Sequence, residues 1–393
     1  MRYFQRFTPD TLLLTNRMAN MLSAVAEFKG KQALYTKQMP EQLEVLRQAA
    51  VVQSTESSNR IEQVTAAPGR LLELMKEKTA PRDRSEQEIV GYRKALDMLH
   101  ASHAQIEPSE NVVKQLHGML FWYDGYVGGK YKISDNEIRR KDGVDHEEVV
   151  FKPTPAFMTD IEMQRLHQDL NEQWQRTTFN KLLLTASYVL DLLCIHPFSD
   201  GNGRVARLMS LLLLYRGGHQ VGAYISLERI IEQSKEQYYE TLNKSSQGWH
   251  ENEHDLMPWA EYFIGVVLLT ACMRFEMNLT AAQETPSKSE AVINSMRRLP
   301  KFFKFTDLQR MCPHVSDATI KATLEGLKKK RVVKCAKRGR DATWEKATTK
   351  FWNAEMPEDE SNLFWGRFDS DPFWSQDGTA PFWKTRTVET ENK

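Results

Sequence analysis

The chain has 393 residues, 41% of them hydrophobic and 27% charged; this is the composition of a soluble globular protein, and the length exceeds one ordinary core, so two or three domains are expected. Its 53 Lys and Arg against 52 Asp and Glu leave a formal charge of +1, which excludes a global bias toward nucleic acid or membrane. Four scattered cysteines (Cys194, Cys272, Cys312 and Cys335) have no CxxC spacing, which argues against a zinc site or a disulfide framework and for reduced thiols in the cytoplasm.

No basic stretch followed by an apolar run opens the chain, so no signal peptide is expected. Residues 10–105 read as several helices. Residues 41–54 have helical apolar spacing, Ala67-Pro68-Gly69 punctuates before 70–78, Thr79-Ala80-Pro81 is a turn, and 85–101 is helical again. A further amphipathic helix over 110–122 runs into an irregular region at Gly125, Gly128 and Gly129. Between 131 and 152 the pattern changes. Ile138 and the run Val149, Val150, Phe151 are β-prone and flank a polar stretch with Asp142-Gly143, which predicts a hairpin ended by Pro153 and Pro155. Long helices follow at about 159–176 and 179–195, then a polar loop, then a helix over 204–216 stopped by Gly217-Gly218. The apolar runs 182–195, interrupted by Asp191, and 208–214 are too short to span a bilayer, so no membrane association is expected. Residues 226–245 and 257–279 are helical.

At 281–289 the composition shifts to Gln, Glu, Thr, Pro, Ser and Lys, which marks a linker. Helices at 290–298, 306–312 and 317–330, then strands at 332–334 and 342–345 around a basic turn, follow the order of a winged helix-turn-helix domain. In the tail, Phe-Trp recurs at 351, 364, 373 and 382, too irregularly for a repeat fold; these aromatics dock on the body or serve a partner. The chain thus divides into an N-terminal helical region (1–105), a core (106–280), a linker (281–289), a winged helix (290–350) and a Trp-rich tail (351–393). The fold class is mainly α, with a β-hairpin flap in the core and a small C-terminal winged-helix domain.

The polar loop carries the chemistry. Residues 196–207 read His-Pro-Phe-Ser-Asp-Gly-Asn-Gly-Arg-Val-Ala-Arg between two apolar helices. Gly201 and Gly203 expose backbone N–H groups, and the helix beginning near Arg204 adds its positive end; together they make an anion hole. Arg204 and Arg207 share a helix face and both reach that anion. Asp200 is a hard oxygen donor suited to magnesium, and His196 can take a proton near neutral pH. A lone histidine would more simply be a buried one satisfied by a carbonyl, but its neighbours outweigh that reading.

This stretch matches every defined position of HPFx(D/E)GNGRxxR, and the chain is identified by it as resembling the Fic (filamentation induced by cAMP) family. The resemblance implies a mostly helical core and transfer of AMP from Mg-ATP to a hydroxyl of a target protein, itself included. By it, His196 is the general base, Asp200 holds Mg²⁺, and Gly201, Asn202 and Gly203 cradle phosphates, Asn202 through its amide. Arg204 and Arg207 then bind the β- and γ-phosphates.

Ser58-Asn59-Arg60-Ile61-Glu62 resembles the family's inhibitory motif (S/T)xxxE(G/N), with Gln63 departing from Gly or Asn at the last position. The resemblance pairs Glu62 with Arg207, blocking the γ-phosphate pocket, and places the hairpin as a flap holding the target as an added strand. The same Glu62 serves removal of AMP in some relatives. Tyr238, Tyr239 and Leu242 are candidates for an adenine pocket. The basic cluster at 328–331 with Lys337, Arg338 and Arg340 suits either DNA phosphates or a docking face, so a nucleotide-responsive DNA-binding regulator is a third reading. A homodimer is common in the family and stays open here.

Overall fold

Five of the helices begin on a side chain that caps them. Thr15, Asp83, Ser109, Asn180 and Ser226 each accept a hydrogen bond from a backbone N–H in the first turn that follows. The computed structural model describes residues 1–7, 11–75, 79–123, 126–142, 146–176, 179–280, 288–313, 315–337 and 342–347.

Five helices lead in: α1 (Asn16–Gln38), α2 (Pro40–Ile61), α3 (Pro68–Met75), α4 (Arg84–Ser102) and α5 (Glu110–Leu120). A short antiparallel pair, β1 (Trp122–Tyr123) and β2 (Tyr126–Val127), replaces the end expected of the 110–122 helix. The expected hairpin is β3 (Ile138–Asp142) against β4 (His146–Phe151), with a bulge where Val150 has no partner between the pairs Ile138–Phe151 and Arg139–Val149. Its turn lies outside the described residues.

Next come α6 (Thr159–Arg176), α7 (Lys181–Ile195) and α8 (Asn202–Arg216). α7 and α8 pack on each other and bury nearly every residue; α7 is almost wholly apolar, whereas α8 also buries Asn202, Arg204 and Arg207. α5 and α4 cover α8, and α6 covers α7. Asp191, which interrupts the apolar run of α7, is buried but partnered. Its carboxylate accepts from Trp249 Nε1 at 2.7 Å and from the Arg2 N–H at 3.1 Å, while burial pushes its pKa up.

The predicted helix 226–245 breaks at Ser234 into α9 (Leu227–Gln233) and α10 (Lys235–Ser246). The stretch 257–279 is α11 (Met257–Glu261), a π-helical segment (Tyr262–Leu269) and α12 (Thr270–Thr280). Met257–Leu279 is long and apolar enough to cross a membrane, yet Trp259, Phe263, Ile264, Val267 and Leu268 are packed into the protein core. α2 joins the helix expected at 41–54 to the helical stretch expected at 58–62, runs to Ile61, and packs on α4 and α9.

The chain forms two compact units, residues 1–300 with 306–320, and residues 301–305 with 321–393. The first takes in α13 (Lys288–Arg298) and α14 (Phe305–Met311) save its first residue. The second holds an antiparallel sheet in the order β5-β7-β6, formed by β5 (Phe302–Lys304), β6 (Val333–Lys337) and β7 (Thr343–Lys346). β5 was not expected. α15 (Asp317–Lys329) ends in the exposed Lys329 and is followed by the exposed Lys330 and Arg331. Arg338, Arg340 and the Phe-Trp tail lie outside the described residues.

Candidate active site

His196 is the residue at which α7 ends. Its backbone is left-handed, φ 50° and ψ 60°, which turns the chain sharply into the loop. The ring Nδ1 lies 3.2 Å from Leu193 O; a carbonyl only accepts, so Nδ1 carries the proton and Nε2 keeps its lone pair. Burial lowers the imidazole pKa to about 4, with the nearby Lys132 adding to the drop and Glu62 and Asp200 opposing it. The ring is therefore neutral at pH 7, as a base must be.

The loop is built rigidly. Phe198 is fully buried and stacks on His117, ring centroids 3.8 Å apart. Gly129 N–H donates to His117 Nδ1 at 2.7 Å, so His117 Nε2 carries the proton and donates to Asp200 O at 3.1 Å. Gly201 caps α8 with φ 79°, and a Cβ there would strike the Phe121 ring. Asn202 does not reach outward as the family reading expected. Its Oδ1 accepts from Phe198 N–H at 2.9 Å and its Nδ2 donates to Phe198 O at 2.7 Å, so the amide fastens the loop on itself.

The two arginines of α8 have different surroundings. Arg204, 1% exposed, donates to Glu88 at 2.5 Å, and Glu88 also accepts from Arg84 at 2.6 Å. Arg84 in turn donates to Asp200 at 3.0 Å, and Arg204 lies 3.6 Å from the same carboxylate. The expected phosphate ligand is thus held inside a ring of four charges. Asp200 itself is half exposed at the mouth of the site. As a hard oxygen donor it fits a magnesium ion, and since no cluster of three candidate ligands occurs among the described residues, phosphate and water would have to complete such a shell.

Arg207 is 4% exposed and meets Glu62 at 2.9 Å. Its Nε donates to Ser58 Oγ at 2.9 Å and its Nη2 to Ser58 O at 3.0 Å, while Nη1 is buried with no partner. Burial draws the Arg207 pKa down, but the Glu62 charge and hydrogen bond, together with Tyr238 and Tyr92, more than offset it and the net shift is upward. Glu62 also abuts Gly203, where its carboxylate occupies the space a Cβ would take. A carboxylate therefore sits at the N-terminal end of α8, where helix geometry favours an anion.

Glu62 is placed by the way α2 ends. Gln63 N–H bonds Arg60 O at 3.0 Å and Val64 N–H bonds Asn59 O at 2.9 Å, with Gln63 at φ 62°; this is a Schellman motif. The position where the family pattern has Gly or Asn is the left-handed residue of that motif, which gives the pattern its physical reason. Arg60, paired with Glu232 at 2.6 Å and Glu56 at 2.7 Å, ties the same turn to α9.

Of the flap residues, Val149 is exposed and Ile138, Val150 and Phe151 are half-buried. An open groove of about 320 Å³ runs between β4 and residues 246–251. Tyr238 belongs to the core, packed on Trp259 and Tyr262, whereas the Tyr239 ring is 44% exposed and Leu242 is half-buried. Sequence reasoning missed Arg84, Glu88, His117, Lys132 and Asn136. None belongs to a local motif; they reach the loop from α4, α5 and the segment before β3.

Residues 107–214 match the Fic/DOC family model. The protein adenylyltransferase Fic of Drosophila grimshawi is 27% identical over 209 residues, 53% of this chain and 38% of that protein. The Drosophila melanogaster protein of the same name is 25% identical over 210 residues, 53% of this chain and 37% of its own length. The match therefore spans well under half the length of these relatives. Among solved structures, a Fic family protein from Desulfovibrio desulfuricans superposes with a TM-score of 0.54 at 19% identity, over 86% of this chain and 98% of that one. A Fic domain containing signaling protein from Bacteroides thetaiotaomicron gives 0.51 at 18% identity, over 66% and 94%. Fold, signature loop and family match agree: the chain carries a Fic/DOC family domain over residues 107–214.

Proposed function

We propose that this chain is a protein adenylyltransferase restrained by its own Glu62. The observation that carries the reading is the Glu62 carboxylate, set against Arg207 and Gly203 beside a neutral His196. A carboxylate there takes the place of a phosphate at the α8 N-terminus, so the site is suited to an anion and blocked by one.

The hydroxyl oxygen of a target side chain attacks the α-phosphorus of ATP, and its proton passes to His196 Nε2. The bond from the α-phosphorus to the bridging oxygen breaks and pyrophosphate leaves. Arg207, once released, donates to the terminal phosphates, and the N–H groups opening α8 face the remaining charge. Asp200 would hold magnesium, which supplies charge neutralisation to the nucleotide. The exposed Tyr239 ring offers a face for adenine.

The test is labelling with α-phosphate-labelled ATP in cell lysate. Glu62→Gly should label itself or a target more strongly than the parent chain, and Glu62→Gly with His196→Ala should label nothing. Absence of every labelled band with Glu62→Gly defeats the reading for ATP.

Removal of AMP is the second reading. The Glu62 charge opposes the burial-driven lowering of the His196 pKa, which supports a carboxylate facing the base where a water could be oriented. Release of AMP from a modified target should then need Glu62, the opposite of transfer.

A further inference from the structure

The last turn of a helix leaves four carbonyls without helical partners. In α7 the first two are taken by His196: its N–H bonds Leu192 O at 3.0 Å, and its ring bonds Leu193 O at 3.2 Å. The other two are taken by the two roots of the flap. Thr154, after β4, donates its N–H to Cys194 O at 3.2 Å, and Lys132, before β3, donates Nζ to Ile195 O at 3.1 Å. Lys132 also donates its backbone N–H to Pro197 O at 2.8 Å. One residue thus grips the carbonyl on each side of His196. Asn136 completes the clasp, accepting from Lys132 Nζ at 2.8 Å and donating Nδ2 to Phe198 O at 3.2 Å.

His196 needs such a hold. A left-handed backbone is strained for a non-glycine residue and persists only where the surroundings over-determine it. Lys132 is 5% exposed, an unusual place for an ammonium group unless its donors are required. Burial lowers its pKa to about 8. The clasp is also mechanically continuous with the flap, because the segment 131–136 runs straight into β3.

We propose that Lys132 and Asn136 are positioning residues that hold His196 in its left-handed geometry, and that flap and base move as one unit. The inference rests on His196 being the base. The charged groups facing the imidazole are Lys132 from this segment, Glu62 from the end of α2 and Asp200 from the loop. A change of charge alone would therefore move its resonance, so the test needs a neutral variant too.

In the full chain carrying Glu62→Gly, Lys132→Met should lower kcat for AMP transfer by about tenfold to a hundredfold, with the KM for ATP changed by less than about threefold. The His196 ring resonance, identified by its loss in His196→Ala, should shift and broaden in Lys132→Met and return toward its original position in Lys132→Arg. Asn136→Ala removes no charge and should displace the same resonance; it also stands in if Lys132→Met does not fold by circular dichroism. An unmoved His196 resonance in folded Asn136→Ala overturns the clasp, whatever the activity. A moved resonance with no transfer to any target supports the clasp and counts against adenylyl transfer instead.

Discussion

Arg207 on α8 and Glu62 at the end of α2 meet at 2.9 Å, 145 residues apart in sequence, with Ser58 taking two further hydrogen bonds from the same guanidinium. The pair joins Arg207, whose Nη1 is buried without a partner, to the acid that stands over Gly203. On the proposed reading, opening the site means separating these two groups.

Glu62→Gly therefore changes stability and binding in opposite directions. Breaking a fully buried pair costs about 3–5 kcal/mol, but Glu62 is 29% exposed and Ser58 remains as an acceptor, so about 1–2 kcal/mol is expected. Without nucleotide the variant should melt at lower temperature than the parent. With Mg-ATP it should gain more than the parent does. Equal nucleotide-induced shifts in the two proteins would show that Glu62 restricts nothing.

Gln63 tests how firmly the pair is presented. Its φ of 62° is unfavourable for a side-chain-bearing residue, and it is exposed, so no packing is lost on truncation. Gln63→Gly should stabilise the fold by about 0.5–1 kcal/mol, the relief of left-handed strain less the extra freedom of the unfolded glycine. Urea denaturation at neutral pH measures it. Nucleotide binding should weaken slightly, because α2 then ends more firmly where Glu62 blocks the site.

Gly203→Ala should separate the plug from the pocket. The added Cβ falls on the Glu62 carboxylate, so in the parent chain it pushes Glu62 away from Arg207. In the Glu62→Gly background the same methyl only takes room from the phosphate. ATP affinity, by calorimetry, should drop there by about tenfold, roughly the 1.4 kcal/mol of one displaced contact. Unchanged affinity would mean that the phosphate does not approach Gly203.

Acid should unfold the protein well above the pKa of its carboxylates. Burial lowers His117, His167, His196 and His254 from the usual 6.5 to about 4. The native state then binds fewer protons than the unfolded chain between these values, so stability is full above pH 6.5 and falls as pH drops toward 4. His117→Gln cannot take up that proton. Its unfolding free energy, followed by urea at pH 7.5, 6 and 5, should be lower at the top of the range and decline less steeply. A parent chain equally stable at pH 7.5 and 5 would rule this out.

Local signals carried much of the fold. The apolar runs of α7 and α8, the polar loop between them, and the hairpin at 138–151 are encoded by residues next to one another, where period and turn chemistry act. Breaks that depend on packing were not legible. The helix expected at 41–54 and the helical turn expected at 58–62 join into one α2, covered by α4 and α9, and 226–245 splits at Ser234, which bonds Tyr262 at 2.8 Å across the core. Strand β5, three residues long, is defined by its partner β7 more than by its own composition.

The site divides in the same way. The sequence by itself determined that a histidine, a hard oxygen donor, two glycines and two arginines stand together, since all lie within twelve consecutive residues. It also pointed to Glu62 as the partner of Arg207. Only the tertiary structure decided which arginine is committed to Glu88, that Asn202 is spent on its own loop, and that Lys132, Asn136 and His117 hold the loop in place. Those roles depend on buried donors and acceptors finding partners across the fold, and sequence separation carries no information about which ones meet.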